Sequence, residues 1–214
     1  AHRDLALATT AEPLATLLRA GPAPAGTPAE IAALLRAQPA RFRGQVVLPD
    51  IEANGLGFLA MLRWSLEEPA FDDMLDALAA MQPRAIGSIM ALTAAMEQGA
   101  HLGLHVLGAY ARRAVAQDAR LRIAPSAAPA PAIARIGFVP RRAANPEAGA
   151  AFLAHLVSPA GQAALGEAGL FPIIAPSDRP LSPIPIDRGF DRLLDQEARA
   201  RMLARWRAAV GRDR

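Results

Sequence analysis

The chain has no cysteine, which excludes a disulfide, a thiolate nucleophile and a cysteine-based zinc site. It has no lysine either, so all 23 basic side chains are arginine, against 20 acidic ones. These arginines are interleaved with carboxylates along the chain, except near the C-terminus. A nucleic-acid surface needs clustered basic charge, so nucleic acid is not an expected partner. No run of about 18 apolar residues occurs, and no segment reads as a membrane-spanning helix. Serine is sparse and no Gly-x-Ser-x-Gly elbow is present. Carboxylate pairs such as Glu67-Glu68 and Asp72-Asp73 fall at polar helix starts and read as solvated helix N-termini. No nucleophile, acid–base pair or metal set stands out, so an enzyme is not expected. What the chain does have is 214 residues, 52% of them hydrophobic, with 51 alanines and a formal charge of only +3. That suits one large domain or two small lobes with a sizeable core.

Helix and strand signals alternate. Thr27-Pro28-Ala29-Glu30 is a capping box with proline at the first helical position, followed by an apolar stripe at Ile31, Leu34 and Leu35. Gln45 to Leu48 reads as a buried strand, and Asn54-Gly55-Leu56-Gly57 opens a helix through Trp64. A helix starts at Pro69 and breaks at Pro83. Arg84–Ile86 reads as a short strand and Gly87-Ser88 caps the next helix. His101 to Leu107 reads as a strand, Gly108 opens a helix, and Leu121 to Ala124 is another strand. Pro125 to Pro131 reads as a loop and Ile133 to Val139 as a strand. Asn145-Pro146 and Ser158-Pro159 start two helices, the second stopped at Gly169. The proline-rich stretch from Ile174 to Pro185 must be extended or loop, and Phe190 to Val210 is an amphipathic helical stretch. The alternation predicts an α/β class with a largely parallel sheet.

Three strand-to-helix junctions carry candidate chemistry. Asn54, Gly55 and Gly57 lie where helix N–H groups and a partial positive charge suit an anion, and glycine permits close approach. The same residues also read as an ordinary turn, since the third glycine of a dinucleotide fingerprint is missing. Ser88 repeats the arrangement, either as a plain N-cap or with its hydroxyl in a shared cleft. His101 and His105 are four apart. On a strand they share a face about 13 Å apart, too far for one metal. No cofactor or metal site is expected.

Two blocks resemble a known family. Arg41 to Asp50 (RFRGQVVLPD), followed by Asn54-Gly55-Leu56-Gly57-Phe58, is similar to the strand and helix start of type II periplasmic solute-binding proteins. Asn145 to Gln162 (NPEAGAAFLAHLVSPAGQ), followed by Gly169-Leu170-Phe171-Pro172, resembles the family's later helices. The ferric-binding-like group of ABC-transporter proteins, with versions fused to sensor kinases, shows the same C-terminal pattern over Ser182 to Val210. The resemblance implies two α/β lobes with ligand in the cleft between them. Residues 14–132 would form the second lobe. Residues 1–13 and 133–214 would be the crossing segments and the C-terminal part of the first lobe, whose opening βαβα segment is absent from these 214 residues. It implies a periplasmic protein that captures a small ligand for an ABC-transporter permease, or an input domain attached to a sensor-kinase core; the converging helix N-termini favour an anionic ligand. The implied ligand shell is Asn54, Gly55, Gly57, Ser88, His105 and Tyr110, with Thr10 from the crossing segment. Ferric-binding members use adjacent tyrosines near the third junction. Tyr110 stands alone there, which speaks against tyrosinate iron.

Overall fold

A computed structural model describes residues 6–21, 23–126, 128–173, 181–183 and 188–211. The chain opens with a long strand, β1 (Leu7–Arg19), then two helices, α1 (Pro28–Ala37) and the single-turn α2 (Pro39–Phe42). Next come β2 (Val46–Pro49), α3 (Gly55–Glu67), α4 (Phe71–Ala80) and β3 (Arg84–Ile86). They lead through α5 (Ile89–Glu97), β4 (Leu102–Leu107), α6 (Gly108–Gln117) and β5 (Leu121–Ile123) to β6 (Ala130–Gly137). The remainder is α7 (Pro146–Val157), α8 (Pro159–Glu167), β7 (Leu181–Pro183), a 3-10 helix (Arg188–Leu194) and α9 (Gln196–Ala209).

The local start signals work as expected. Thr27 accepts from the Glu30 N–H at 3.2 Å, and the Glu30 carboxylate accepts from the Thr27 N–H at 3.0 Å. Asn54, Ser88, Asn145 and Ser158 each accept a first-turn N–H of the helix they precede. Each such cap is worth about 1 kcal/mol.

The strands form one sheet in the order β3-β2-β4-β1-β6-β7, with β5 on the C-terminal half of β1. β2 pairs parallel with β4, Val46 opposite Leu102, so these two segments are neighbouring buried strands. The sheet is less parallel than the alternation suggests: β1 runs antiparallel to β4, β5 and β6. Its first half pairs with β6 from Leu7↔Gly137 to Pro13↔Ala132. Its second half pairs with β4 from Leu14↔Leu107 to Leu18↔Leu102. Residues 7–13 and 132–137 therefore lie side by side, and β1 pairs with different strands along its two halves.

Two apolar clusters sandwich the β2–β4 region. β2 sends Val46 and Leu48 into one and Val47 into the other, as strand alternation requires. The larger holds Ile31, Leu35, Met61, Trp64, Met74 and Leu78 from α1, α3 and α4. The smaller packs Leu92 and Met96 of α5 and Ala111 of α6. Full burial of each large side chain contributes about 1.5–3 kcal/mol.

The C-terminal stretch departs from expectation twice. It is two elements, because Asp195 caps α9 by accepting the Glu197 and Ala198 N–H groups. It also packs on α3 and α4 rather than continuing the arm of β6, α7 and α8. Leu193, Ala198, Met202 and Trp206 join the larger cluster, and Arg205–Asp72 (2.9 Å) and Arg207–Glu52 (2.7 Å) flank them. Trp206, 2% exposed, is buried in that cluster. The stretch from Ile174 to Pro185 falls largely outside the described residues, and its described part is β7.

Candidate functional site: three helix starts beside two crossing strands

The parallel pairing of β3, β2 and β4 aligns their C-terminal ends. The helices that follow, α5, α3 and α6, therefore begin next to one another, where ligands of open α/β sheets bind. The first two junctions are fastened together. Asn54 Nδ2 donates to the Gly87 carbonyl at 3.3 Å, and the Asp50 N–H donates to the Ile86 carbonyl at 2.9 Å.

The caps fix which donors remain. Asn54 Oδ1 consumes the Gly57 N–H at 2.9 Å, and the first intrahelical bond is Phe58 N–H to the Asn54 carbonyl. The Gly55 and Leu56 N–H groups keep no acceptor within the helix. Gly55 is exposed with open space around it. Gly57 has another task, because a Cβ there would overlap the Pro49 ring. Ser88 is exposed and its Oγ accepts from the Ala91 N–H at 3.1 Å. Met90, one turn on, is also exposed beside this start. None of α3, α5 or α6 has an acidic residue in its first turn, a lack shared with α2 and α8, whereas α1, α4, α7 and α9 carry Glu30, Asp72 with Asp73, Glu147 and Glu197 there. The positive helix ends at this edge are left uncompensated.

The third junction is more closed. A Cβ on Gly108 would meet the Phe171 ring and Pro13, so these two side chains pack directly on the start of α6. Arg112 lies over the same Phe171 ring at 3.9 Å. Tyr110 is half-buried against the smaller cluster.

His105 does not reach the surface at these junctions. It is 2% exposed, its ring centroid lies 4.3 Å from that of Trp64, and neither ring nitrogen has a hydrogen-bond partner among the described residues. The cause is a bulge: pairing passes from Ala15↔Val106 to Leu17↔Gly103, and His105 adopts φ 52°. A left-handed residue breaks the alternation and turns the ring toward α3, a conformation histidine tolerates better than most. Burial pushes its pKa down to about 3, so the ring is neutral. His101 lies outside β4, its Nδ1 2.9 Å from the Arg41 carbonyl.

Thr10 sits in the crossing strand between Arg135 of β6 and Pro172. It is buried and its hydroxyl has no hydrogen-bond partner among the described residues. Two residues on, Glu12 is buried on the same strand and holds Arg135 at 2.7 Å, with one carboxylate oxygen unpartnered among the described residues. Arg135 itself is half exposed. This pair was not anticipated; the signal available was an acidic residue before Pro13 opposite an arginine in the return strand. The Gly161-Gln162 motif explains itself here. Gln162 donates to the Thr9 and Leu156 carbonyls, both at 2.8 Å, and accepts from the Ile173 N–H at 2.7 Å. A Cβ on Gly161 would overlap the His155 carbonyl.

Among the described residues, no group of three or more His, Asp or Glu side chains is placed to hold a metal, and no helix is long and apolar enough to cross a membrane.

No family model matches the chain, and no curated protein matches it. Solved structures do. The substrate-binding protein of an ABC transporter from Agrobacterium tumefaciens superposes with a TM-score of 0.85 at 26% identity, over 98% of this chain and 68% of that one. A periplasmic thiamin-binding protein gives 0.67 at 13% identity, over 98% and 67%. The ferric iron-binding protein A of Mannheimia haemolytica gives 0.66 at 14% identity, over 95% and 70%. The last two share the fold. The architecture is that of a periplasmic-type binding protein. Within that class, the chain is similar at 26% identity to the substrate-binding protein of an ABC transporter.

Proposed function

We propose that this chain captures a small, anionic solute between the α5, α3 and α6 starts and the crossing strands β1 and β6, and delivers it to an ABC-type permease. The observation that carries the reading is that the three helices that start side by side all lack a first-turn acid, so their N–H ends face one edge without a carboxylate of their own. Free N–H groups at Gly55, Leu56 and the start of α5 would donate to an oxyanion. Asn54 holds two of the junctions in register, and the Ser88 hydroxyl retains a proton to donate. Thr10 and the Arg135–Glu12 pair would form the polar floor, with Tyr110 at its margin. His105 would support Trp64 from below rather than touch solute. Closure about the crossing strands would be favoured by solute contacts on both sides. A sensor-kinase input domain would use the same cleft. Transport is preferred because the solved neighbour at 26% identity is an ABC-transporter binding protein.

Isothermal titration of the full-length protein with carboxylates, inorganic phosphate and sugar phosphates tests this. One saturable site for an oxyanion, weakened at least tenfold in Asn54→Ala, is expected. Binding of neutral or cationic solutes only would overturn it.

A further inference from the structure

The parallel strands β2, β3 and β4 have a second edge, at their N-terminal ends, and a cavity of about 820 Å³ lies there. Arg43, Gln45, Arg84 and His101, at or just before the strand starts, line it together with Gln98 at the end of α5. The four residues of β2, rising about 3.3 Å each, separate it from the Asn54 junction. Strand alternation gathers part of the lining. Val46 and Ala85 face the larger cluster, whereas Val47 and Ile86 face the smaller one. Gln45 and Arg84 therefore lie on the face that α5 covers. Gly44 and Gly99 have φ 69° and 123° and open space where a Cβ would stand, so no side chain fills the cavity from them.

Three arginines, Arg41, Arg43 and Arg84, line this cavity and no acidic residue does. The end of α5 would oppose an anion through its free carbonyls, but Arg19 already occupies them, donating to the Met96, Glu97 and Ala100 carbonyls. Arg41 is engaged in the same way with the Arg19 and Ala20 carbonyls. Arg43 and Arg84 are exposed, and among the described residues neither guanidinium has an ion-pair or hydrogen-bond partner.

We propose that this cavity is a second binding site, for a small molecule that carries two or more linked phosphate groups, held by Arg43 and Arg84. A guanidinium fork matches the oxygens of one phosphate, so two uncommitted forks on one cavity suit two phosphates. The exposed carboxamides of Gln45 and Gln98 add neutral donors on the same walls. The volume falls within the range of about 300–1,000 Å³ usual for small-molecule sites. No Phe, Tyr or Trp lines the cavity. A base or other ring would find no stacking platform there, and recognition falls on the phosphates. The inference does not depend on which solute the cleft takes.

The test is isothermal titration of the full-length protein with inorganic triphosphate at physiological salt. Saturable binding is expected, weakened at least tenfold when Arg43→Gln and Arg84→Gln are combined and unchanged in Asn54→Ala. Both arginines are exposed, so the melting temperature of the double variant should not move. The milder pair, Arg43→Lys and Arg84→Lys, keeps the charge but loses the forks and should fall between the two. Orthophosphate should bind this site at least tenfold more weakly than triphosphate. Two saturable sites, one lost with the arginine pair and one with Asn54→Ala, would equally support the proposal. Three outcomes would overturn it. The first is no saturable binding by the folded protein. The second is binding that Asn54→Ala removes and the arginine pair does not, which assigns triphosphate to the cleft. The third is equal weakening by Arg141→Gln with Arg142→Gln, two exposed arginines outside the cavity, which would make the effect one of overall charge.

Discussion

The two ends of this molecule use similar sequence material and close it differently. α4 and α7 are both short and alanine-rich, with aromatic and leucine residues at helical spacing. α4 buries Phe71, Met74, Leu75, Ala77 and Leu78, while α7 buries none of its residues completely. The difference lies in the opposing layer. α4 meets α1, α3 and α9 over one face of the sheet, whereas α7 meets α8 and the end of β1 beside Gly137 of β6. Apolar periodicity states that a face seeks cover; whether cover arrives is a property of the neighbours.

Truncation in the core should separate the two ends most strongly. Leu62→Ala is expected to cost about 2–5 kcal/mol, because Leu62 is enclosed in the larger cluster. Leu153→Ala in half-exposed α7 should cost under about 1.5 kcal/mol. Urea unfolding followed by tryptophan fluorescence checks this, and equal costs would remove the distinction. Gln162→Ala should follow at about 2–3 kcal/mol, since it strands two carbonyls and one N–H where α8 meets β1. Hydrogen exchange should then show α7 and α8 opening before α3 and α4. Uniform loss of protection would mean that the ends unfold as one unit.

The buried histidine offers a smaller effect confined to the closed end. Its folded pKa lies below the unfolded value, so the native state binds fewer protons. Its contribution is complete above about pH 6.5 and is lost as pH falls toward 3, at up to about 1.4 kcal/mol per pH unit. His105→Asn tolerates the same backbone and cannot titrate. It should flatten the stability profile between pH 6.5 and 4.5, and an unchanged slope would contradict the burial argument. The least effect is expected from ferric citrate. With Tyr110 as the single tyrosine, no visible charge-transfer band should appear on titration. A band abolished by Tyr110→Phe would restore the iron reading.

Much of this was legible in local rules. The caps at Thr27, Asn54, Ser88, Asn145 and Ser158 depend on a side chain and an N–H three residues away, so the sequence contains both partners. The candidate site was legible in the same measure: Asn54, Gly55 and Ser88 stand at adjoining helix starts because parallel strands put them there. Other features were not visible locally. Leu14 to Arg19 shows no clean strand alternation, and it is extended because β4 and β5 bind both of its edges. Glu12 and Arg135 are 123 positions apart and meet across the crossing strands.

By itself the sequence determined where helices begin, which faces are apolar, that no thiol chemistry occurs, and that strands alternate with helices. Those properties are set by neighbours within a turn or two of the chain. The tertiary structure alone decided that His105 turns inward, that Gly57 and Gly161 are demanded by a proline ring and a carbonyl, that α9 packs on α3 and α4, and that α7 buries none of its residues completely. Each of these depends on a surface brought from far along the chain, and pairing across that distance is settled by burial and shape rather than by spacing.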